Sequence, residues 1–177
     1  MDALTQKAQA IRLVILDVDG VLSDGGIYVT DHGEFFKRFY VRDGLGIKML
    51  QKAGIPVAII TGRESQILKT RCEELGITEL YQNQRFKVPA FEALLKKLGI
   101  DEQAVAYMGD DIPDLPLLKR VGLSSSPSDA DPDIQALVNF VSPFPGGQGA
   151  VRSLAELILR AQGRWFDLVE QTFEQGR

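Results

Sequence analysis

The stretch Leu13-Val14-Ile15-Leu16-Asp17-Val18-Asp19-Gly20 decides the fold of this chain. Its first four residues are apolar, which is typical of a buried strand, and Gly20 permits the sharp turn that often ends such a strand. The turn brings Asp17 and Asp19 to the carboxyl end of the strand, where open α/β sheets bind their ligands. Two carboxylates there can hold a hard cation and supply a nucleophile or an acid. A plain turn explains Asp17-Val18-Asp19-Gly20 equally well, so the rest of the chain must decide between a turn and a functional site.

Outward from this stretch, candidate strands and candidate helices alternate along the sequence. Four of the candidate helices are followed by glycine, as expected where a helix ends in a left-handed residue: Gly54, Gly76, Gly99 and Gly122. The alternation predicts parallel βαβ units and a three-layer, Rossmann-like α/β fold with a central parallel sheet. The predicted strands are 12–16, 56–60, 79–81, 104–108 and 123–125, and the predicted helices are 45–53, 65–75, 89–98 and 113–121.

Two segments depart from this alternation. Residues 26–29 and 34–40 are rich in β-branched and aromatic residues and predict a hairpin insertion over about 24–40, with His32 in its exposed turn. The hairpin is too apolar to remain exposed, so we expect it to pack on something. A loop at 143–149, a final helix and a tail make up about 143–177. Apolar residues of the tail predict docking on the body of the domain, with docking on a partner as the alternative: Trp165, Phe166, Leu168, Val169 and Phe173.

Length, composition and charge limit the classes of function. With 177 residues, the chain is expected to form a single domain over 1–177 with a sizeable core. A formal net charge of −4 argues against nucleic acid or an anionic membrane as the main partner. The single cysteine, Cys72, and the single histidine exclude a Cys/His zinc site, and Cys72 is expected to fill the core. Because neither a signal peptide nor an apolar run of about 20 residues is evident, the expected location is the cytoplasm.

Three further polar clusters lie at the ends of predicted strands or just before a predicted helix. They are Thr61-Gly62-Arg63, Lys87, and Gly109-Asp110-Asp111-Ile112-Pro113-Asp114. With the first Asp-x-Asp pair, their order along the chain resembles that of the haloacid dehalogenase superfamily of aspartate-based phosphatases. The resemblance implies a nucleophilic role for Asp17 and a general acid and base role for Asp19. It implies that Thr61 and Lys87 bind and neutralise the transferring phosphoryl group.

The same resemblance implies a metal site. Asp17, Asp110 and the backbone carbonyl of Asp19 are the expected ligands of Mg²⁺, which prefers sparse oxygen ligation. Asp111 is expected to orient Lys87 or the water on the metal, with a plain loop acid as the alternative. Asp114 either supports the site from behind or complements the dipole of the helix that it begins.

A narrower resemblance rests on interval lengths and longer motifs. Only 41 residues separate Asp19 from Thr61 and only 25 separate Thr61 from Lys87, so neither interval holds a separate cap domain. The chain resembles the capless subgroup of that superfamily and, within it, the 3-deoxy-D-manno-octulosonate 8-phosphate phosphatase family. The motifs that carry this resemblance are 17–25, 41–44, 59–63, 75–77, 105–111 and 146–152. The family implies Mg²⁺-dependent release of phosphate from that sugar acid, a step toward lipopolysaccharide, by a homotetramer joined through its hairpins.

The family also implies a set of substrate contacts: Asp19, Tyr40, Val41, Arg42, Asp43, Gly44, Gly62, Arg63, Arg71 and Lys87. Its arginines and its lysine suit a sugar acid that carries a carboxylate and a phosphate. Asp43 could instead be the N-cap of the following helix, and Arg71 could only solvate its helix face. The chain departs from the family pattern at Tyr40, at Val88-Pro89 and at Ser153.

Two other functions remain open at this point. The first keeps the chemistry and changes the substrate to a nine-carbon ulosonate 9-phosphate. The second is a non-catalytic oligomerisation module of the same fold. The intact set Asp17, Asp19, Thr61, Lys87 and Asp110 argues against the second.

Overall fold

The fold is a six-stranded parallel sheet with helices on both faces and a separate two-stranded hairpin. The computed structural model describes residues 2–173, without the side chain of Phe173. The strands are β1 (Leu13–Leu16), β2 (Tyr28–Thr30), β3 (Gly33–Phe36), β4 (Val57–Ile60), β5 (Glu79–Tyr81), β6 (Val105–Met108), β7 (Leu123–Ser126) and β8 (Phe140–Val141). The helices are α1 (Ala3–Gln9), α2 (Val41–Lys52), α3 (Gln66–Leu75), α4 (Val88–Leu98), α5 (Leu115–Leu118), α6 (Pro132–Leu137), α7 (Ala150–Ala161) and α8 (Trp165–Phe173).

Strand β1 lies in the middle of the sheet, whose order is β5-β4-β1-β6-β7-β8 with all neighbours parallel. Its last residue, Leu16, pairs with Ile59 of β4 on one side and with Met108 of β6 on the other. The chain that leaves β1 therefore enters the crevice between the two halves of the sheet, where doubly wound folds bind their ligands. The predicted three-layer α/β fold with a parallel sheet and a hairpin is confirmed.

The residues of β1 divide between the two faces of the sheet. Leu13 and Ile15 belong to the core under α4, α5 and α6, whereas Val14 and Leu16 belong to the core under α2, α3 and α7. All four side chains are fully buried. Alternate side chains of a strand face opposite ways, so a continuous apolar run is what a sheet covered on both faces requires.

Helix α2 begins at Val41, four residues earlier than the sequence predicts, so it contains Gly44 as well as Gly46. A Cβ added at Gly46 would lie 3.1 Å from the backbone of Arg152 and 3.3 Å from the Cβ of Ala155, both on α7. One added at Gly44 would lie 2.5 Å from the guanidinium of Arg71 on α3. Glycine costs about 1 kcal/mol in a helix relative to alanine, so the sequence pattern does not predict a helix that extends back through Gly44. Close approach of α7 explains the glycine at position 46, whereas the end of the Arg71 side chain could move away from a Cβ at position 44.

The glycine that follows the fourth predicted helix is not a left-handed cap. Gly54, Gly76 and Gly99 have positive φ, as predicted, but Gly122 does not. A Cβ at Gly122 would lie 2.0 Å from the carbonyl oxygen of Gln103, so this glycine is needed for close backbone approach. The predicted helix 113–121 is itself a 3-10 turn, Ile112–Asp114, followed by the short α5.

Four elements were not predicted from the sequence: α8, whose residues were expected only as a tail, and three others, α1, α6 and β8. The last three are short, and α1 buries only Ala8, so their apolar periodicity is too weak to read. Asp2 caps α1 by accepting a hydrogen bond from the backbone N–H of Thr5 at 2.8 Å. Within the described residues, no helix has the length and apolar character needed to cross a membrane.

The hairpin and the tail behave differently. Strands β2 and β3 are antiparallel and shorter than predicted, and large apolar side chains of the hairpin remain exposed, Phe35 to 67%. The tail docks on the body of the protein, as predicted, since Trp165 and Leu168 of α8 are buried in the core against α7. Phe166 was also expected to dock, but it is 70% exposed. The side chain of Phe173 lies outside the described residues.

Candidate active site

The carboxyl ends of β1 and β6 and the start of α4 bring one lysine against two carboxylates. Lys87, just before α4, is buried, and its Nζ lies 2.9 Å from Oδ1 of Asp17 and donates to Oδ1 of Asp114 at 2.6 Å. Burial alone would lower the pKa of Lys87, but the negative charges of Asp17 and Asp114 outweigh it and raise that pKa. The ammonium is therefore a fixed positive charge on the floor of the site.

Asp114 is fully engaged by this network. Its Oδ1 also accepts a hydrogen bond from the buried hydroxyl of Tyr107 at 2.5 Å. Its Oδ2 accepts from the backbone N–H groups of Asp110 at 3.0 Å and Asp111 at 3.3 Å. Asp114 thus orients Lys87 and shapes the loop that carries Asp110. Asp114 also forms a capping box with Asp111 at the first turn. It therefore both supports the site from behind and lies as an acid in the first turn, the two roles considered from the sequence.

Asp17 and Asp110 face each other across the turn after β1. Burial, partly opposed by the charge of Lys87, raises the pKa of Asp17 to about 6. Burial, together with the charges of Asp17 and Asp114, raises the pKa of Asp110 to about 8. One carboxylate oxygen from each of Asp17, Asp110 and Asp114 lies within 4.8 Å of the others. Mutually repelling oxygens of this kind fit a hard divalent cation, which would relieve their repulsion.

Close backbone packing holds the turn that follows Asp17. Gly20 has φ +85°, and a Cβ there would lie 2.0 Å from Oδ2 of Asp110. A Cβ at Gly146, in the loop before α7, would lie 1.8 Å from the carbonyl oxygen of Gly20. The backbone N–H of Gly147 donates to the carbonyl of Val21 at 2.9 Å. The turn that aims the carboxylates is therefore fixed from two sides.

Asp19 lies at the rim of the site, half-buried between two cations. Its Oδ1 accepts a hydrogen bond from Lys37, and its Oδ2 lies 3.9 Å from Nε of Arg63. Lys37 follows β3 of the hairpin and was not predicted as a site residue. No sequence motif marks Lys37 as a site residue, because only the folded position of the hairpin brings it to Asp19.

Thr61 completes the floor at the end of β4. It is buried, its N–H donates to the carbonyl of Tyr81 at 2.9 Å, and its carbonyl accepts from Gln84 at 2.9 Å. Gly62 and Arg63 follow it toward solvent. These residues line an open cleft of about 520 Å³. The lining consists of Asp17, Asp19, Gly25, Thr61, Gly62, Arg63, Gln84, Arg85, Lys87, Asp110, Asp111, Pro113 and Asp114.

The cleft brings together every predicted catalytic and metal-binding residue but only some of the predicted substrate contacts. Among the lining residues, Gly25, Gln84, Arg85 and Pro113 were not predicted. Arg85 is an exposed cation in the loop before Lys87, and a scan for strand-end motifs has no reason to select it. The predicted contacts that do not line this cleft are Tyr40, Val41, Arg42, Asp43, Gly44 and Arg71. Their predicted contact with substrate stays a prediction.

Asp43 has a different role in the described chain. It is buried, its Oδ1 accepts from the backbone N–H of Arg152 at 2.8 Å, and its Oδ2 accepts from that of Gly149 at 3.2 Å. Asp43 therefore caps the N-terminus of α7. The alternative interpretation, that it caps its own helix, is wrong. Arg71 pairs with Glu74 at 3.0 Å and lies against Phe39, and it does not line the cleft.

Comparison with known proteins agrees with this geometry. The family model described as haloacid dehalogenase-like hydrolase matches residues 38–122. The chain is 51% identical over 158 residues to the 3-deoxy-D-manno-octulosonate 8-phosphate phosphatase of Escherichia coli strain K12, covering 89% of this chain and 84% of that protein. It belongs to the 3-deoxy-D-manno-octulosonate 8-phosphate phosphatase family. It is therefore a phosphatase, and the predicted family and enzyme class are confirmed.

Two solved members of the family share the fold closely. The crystal structure of the phosphatase from Yersinia pestis superposes with a TM-score of 0.90 at 48% identity, over 92% of this chain and 88% of that one. The Moraxella catarrhalis phosphatase, in complex with magnesium ion, phosphate ion and 3-deoxy-D-manno-octulosonate, gives a TM-score of 0.93 at 42% identity. That comparison covers 97% of this chain and 99% of the other. The likeness therefore covers nearly the whole chain.

Proposed function

We propose that this phosphatase hydrolyses 3-deoxy-D-manno-octulosonate 8-phosphate to 3-deoxy-D-manno-octulosonate and phosphate with Mg²⁺, as a step toward lipopolysaccharide. The observation that carries the proposal is Asp17 held by Lys87 at 2.9 Å on the floor of the cleft, in a chain 51% identical to a phosphatase of that name. The proposal is also supported by the rim, where Arg63 and Arg85 line the cleft beside the residues that would bind phosphate. Arginine suits the carboxylate that a sugar acid adds to its phosphate.

Asp17 is the proposed nucleophile. One of its carboxylate oxygens attacks phosphorus, the bond between phosphorus and the sugar oxygen breaks, and an aspartyl-phosphate forms. Lys87 keeps its positive charge beside both the carboxylate and the arriving phosphoryl group, so it offsets the charge that accumulates between them. The Thr61 hydroxyl would donate a hydrogen bond to a phosphoryl oxygen, since Thr61 follows the neighbouring strand β4 and lines the cleft.

Asp19 moves the protons in this scheme. It gives a proton to the departing sugar oxygen, which leaves as an alcohol. In the second step it takes a proton from the water that attacks phosphorus, and the products are phosphate and the free carboxylate of Asp17. Its place at the rim, two residues beyond the nucleophile, suits contact with both the leaving group and solvent.

Asp17, Asp110 and the backbone carbonyl of Asp19 would hold the magnesium ion. When bound, the ion supplies positive charge to the phosphoryl oxygens and orients them for in-line attack. Asp110 needs such a partner because its charge otherwise faces those of Asp17 and Asp114. Asp114 is not proposed as a ligand, since both of its oxygens already accept hydrogen bonds.

The proposal includes a homotetramer joined through the hairpins, formed by a single-domain chain in the cytoplasm. Exposed apolar side chains on the hairpin support it: Ile27, Tyr28, Val29, Phe35 and Phe36. Burying apolar surface contributes about 25 cal/mol per Å², and closed symmetric assembly is the usual outcome. A neighbouring subunit at the cleft would also supply the cover that this capless chain lacks.

The test is phosphate release from a panel of sugar phosphates with Mg²⁺ and with a chelator. We expect the eight-carbon ulosonate 8-phosphate to give the highest kcat/KM, and the chelator to abolish release. If a nine-carbon ulosonate 9-phosphate gives the higher kcat/KM, the proposed substrate is wrong and the proposed chemistry stands. Absence of release from every phosphate monoester, including p-nitrophenyl phosphate, would contradict catalysis and favour the non-catalytic module.

A further inference from the structure

The hairpin carries both apolar and charged side chains. Val29 is 63% and Phe35 67% exposed to solvent. Glu34 and Lys37 instead contact the body of the protein, and the side chain of Lys37 is only 4% exposed. A lysine buried to this degree is unusual, because its ammonium loses hydration unless it is paired.

Lys37 finds its partners in the active site and in its own hairpin. Its Nζ donates to Oδ1 of Asp19 and lies 3.4 Å from Oε1 of Glu34. The other oxygen of Glu34 accepts a hydrogen bond from the hydroxyl of Ser65. Ser65 in turn caps α3, since its hydroxyl accepts from the N–H of Leu68 at 3.1 Å. A continuous polar chain therefore runs from the N-terminus of α3 through the hairpin to the carboxylate at the rim.

We propose that Lys37 is a positioning residue for Asp19 and that it ties protonation of the leaving group to the placement of the hairpin. The proposal rests on the proposed role of Asp19 as general acid. The other cation near Asp19, Arg63, is 3.9 Å away and has half of its side chain exposed, so it constrains the carboxylate less. Lys37 makes the closer contact and is itself held by Glu34.

Orientation matters here because a general acid must lie within hydrogen-bond reach of the oxygen that it protonates. A displacement of about 1 Å in a reacting group can reduce the rate by about 100-fold. Asp19 stands on a turn at the rim, and only its contacts fix where its oxygens point. The exposed apolar side chains of the hairpin are the ones proposed to join subunits. Assembly would therefore also fix Lys37, which holds Asp19.

The experiment compares Lys37→Met and Lys37→Arg with the control Lys69→Met, on the exposed face of α3. Each variant is assayed with the ulosonate 8-phosphate and with p-nitrophenyl phosphate, whose aryl leaving group needs little protonation. We expect Lys37→Met to lower kcat about 10- to 100-fold for the sugar phosphate and less than about 3-fold for the aryl phosphate. Lys37→Arg should recover part of the sugar-phosphate rate, and Lys69→Met should match the wild type.

Equal losses on both substrates, or no loss, would overturn the proposal. Light scattering and circular dichroism show whether each variant keeps its assembly and fold. If Lys37→Met does not fold, Lys37→Arg and Glu34→Gln decide, since both alter the placement of the ammonium and should shift the ratio of the two rates in the same direction. If the wild type does not cleave the ulosonate 8-phosphate, the proposed function fails, and the ratio measured with an alkyl phosphate that it does cleave still tests Lys37.

Discussion

The floor and the rim of the cleft are built in different ways. The floor consists of Asp17, Lys87, Asp110 and Asp114 at strand ends and a helix start, and within the described residues their contacts close on one another. The rim includes Asp19 and the hairpin, and a polar chain through Lys37, Glu34 and Ser65 connects them to α3. The sheet thus carries the bond-breaking charges, whereas a hairpin outside the sheet contacts the group that handles the leaving oxygen. The difference suggests that chemistry and substrate range can change separately.

The largest effect should come from the floor. Asp17→Asn removes the nucleophile while keeping nearly the same shape, so we expect turnover to fall by about 10⁴-fold or more on every phosphate monoester. Phosphate release by the purified variant measures this, with Asp31→Asn in the exposed hairpin turn as the matched control. Activity above trace level in folded Asp17→Asn would show that Asp17 is not the nucleophile. The contrast between floor and rim would then fail as well.

At the rim, the loss should depend on the leaving group. Asp19→Asn should lower kcat by about 10²–10⁴-fold for the sugar phosphate, because the alcohol then leaves without a proton. For p-nitrophenyl phosphate the loss should be much smaller. The measurement is kcat on both substrates at saturating Mg²⁺. Equal losses would place Asp19 with the floor, as a purely structural or metal-binding group.

The hairpin's exposed apolar side chains should matter for binding more than for the chemical step. Phe35→Asp places a charge in the proposed interface, so we expect smaller assemblies by light scattering and a KM for the sugar phosphate raised about 10-fold. Mg²⁺-dependent cleavage of p-nitrophenyl phosphate should remain. Leu137→Asp, at a similarly exposed apolar residue of α6, is the control. A wild type that is monomeric and fully active would contradict the assembly.

The smallest effect concerns the charges of the floor without metal. The pKa of Asp110 is raised from 3.8 to about 8, so the folded protein binds more protons than the unfolded chain between those values. The free energy of unfolding should therefore decrease as pH rises from about 4 to about 8 in chelator, and Mg²⁺ should reverse the decrease. Asp110→Asn should stabilise the metal-free protein at pH 8 by about 1–2 kcal/mol. Urea unfolding across this pH range measures it, and a pH-independent stability of the wild type would show that the charges of the floor are already balanced.

The floor could be predicted from the sequence because each of its residues directly follows a buried strand or precedes a helix. Asp17, Thr61 and Asp110 needed only the rule that parallel strands end at the same edge of the sheet. Lys37 and Arg85 could not be predicted in this way, because their positions depend on how a hairpin and a loop fold back over that edge. Asp43 shows the converse: a local pattern suggested a cap on its own helix, and the fold gives it to α7.

The close contact between Gly146 and Gly20 has a consequence for redesign of the substrate range. Any side chain at Gly146 would collide with the backbone of Gly20, so the turn that follows Asp17 and Asp19 would have to move. Gly62 is different, since a Cβ there would meet no atom closer than the carbonyl oxygen of Gln84 at 3.9 Å. A mutant library aimed at new sugar phosphates should therefore vary Gly62 and Arg85 and leave the two packed glycines unchanged.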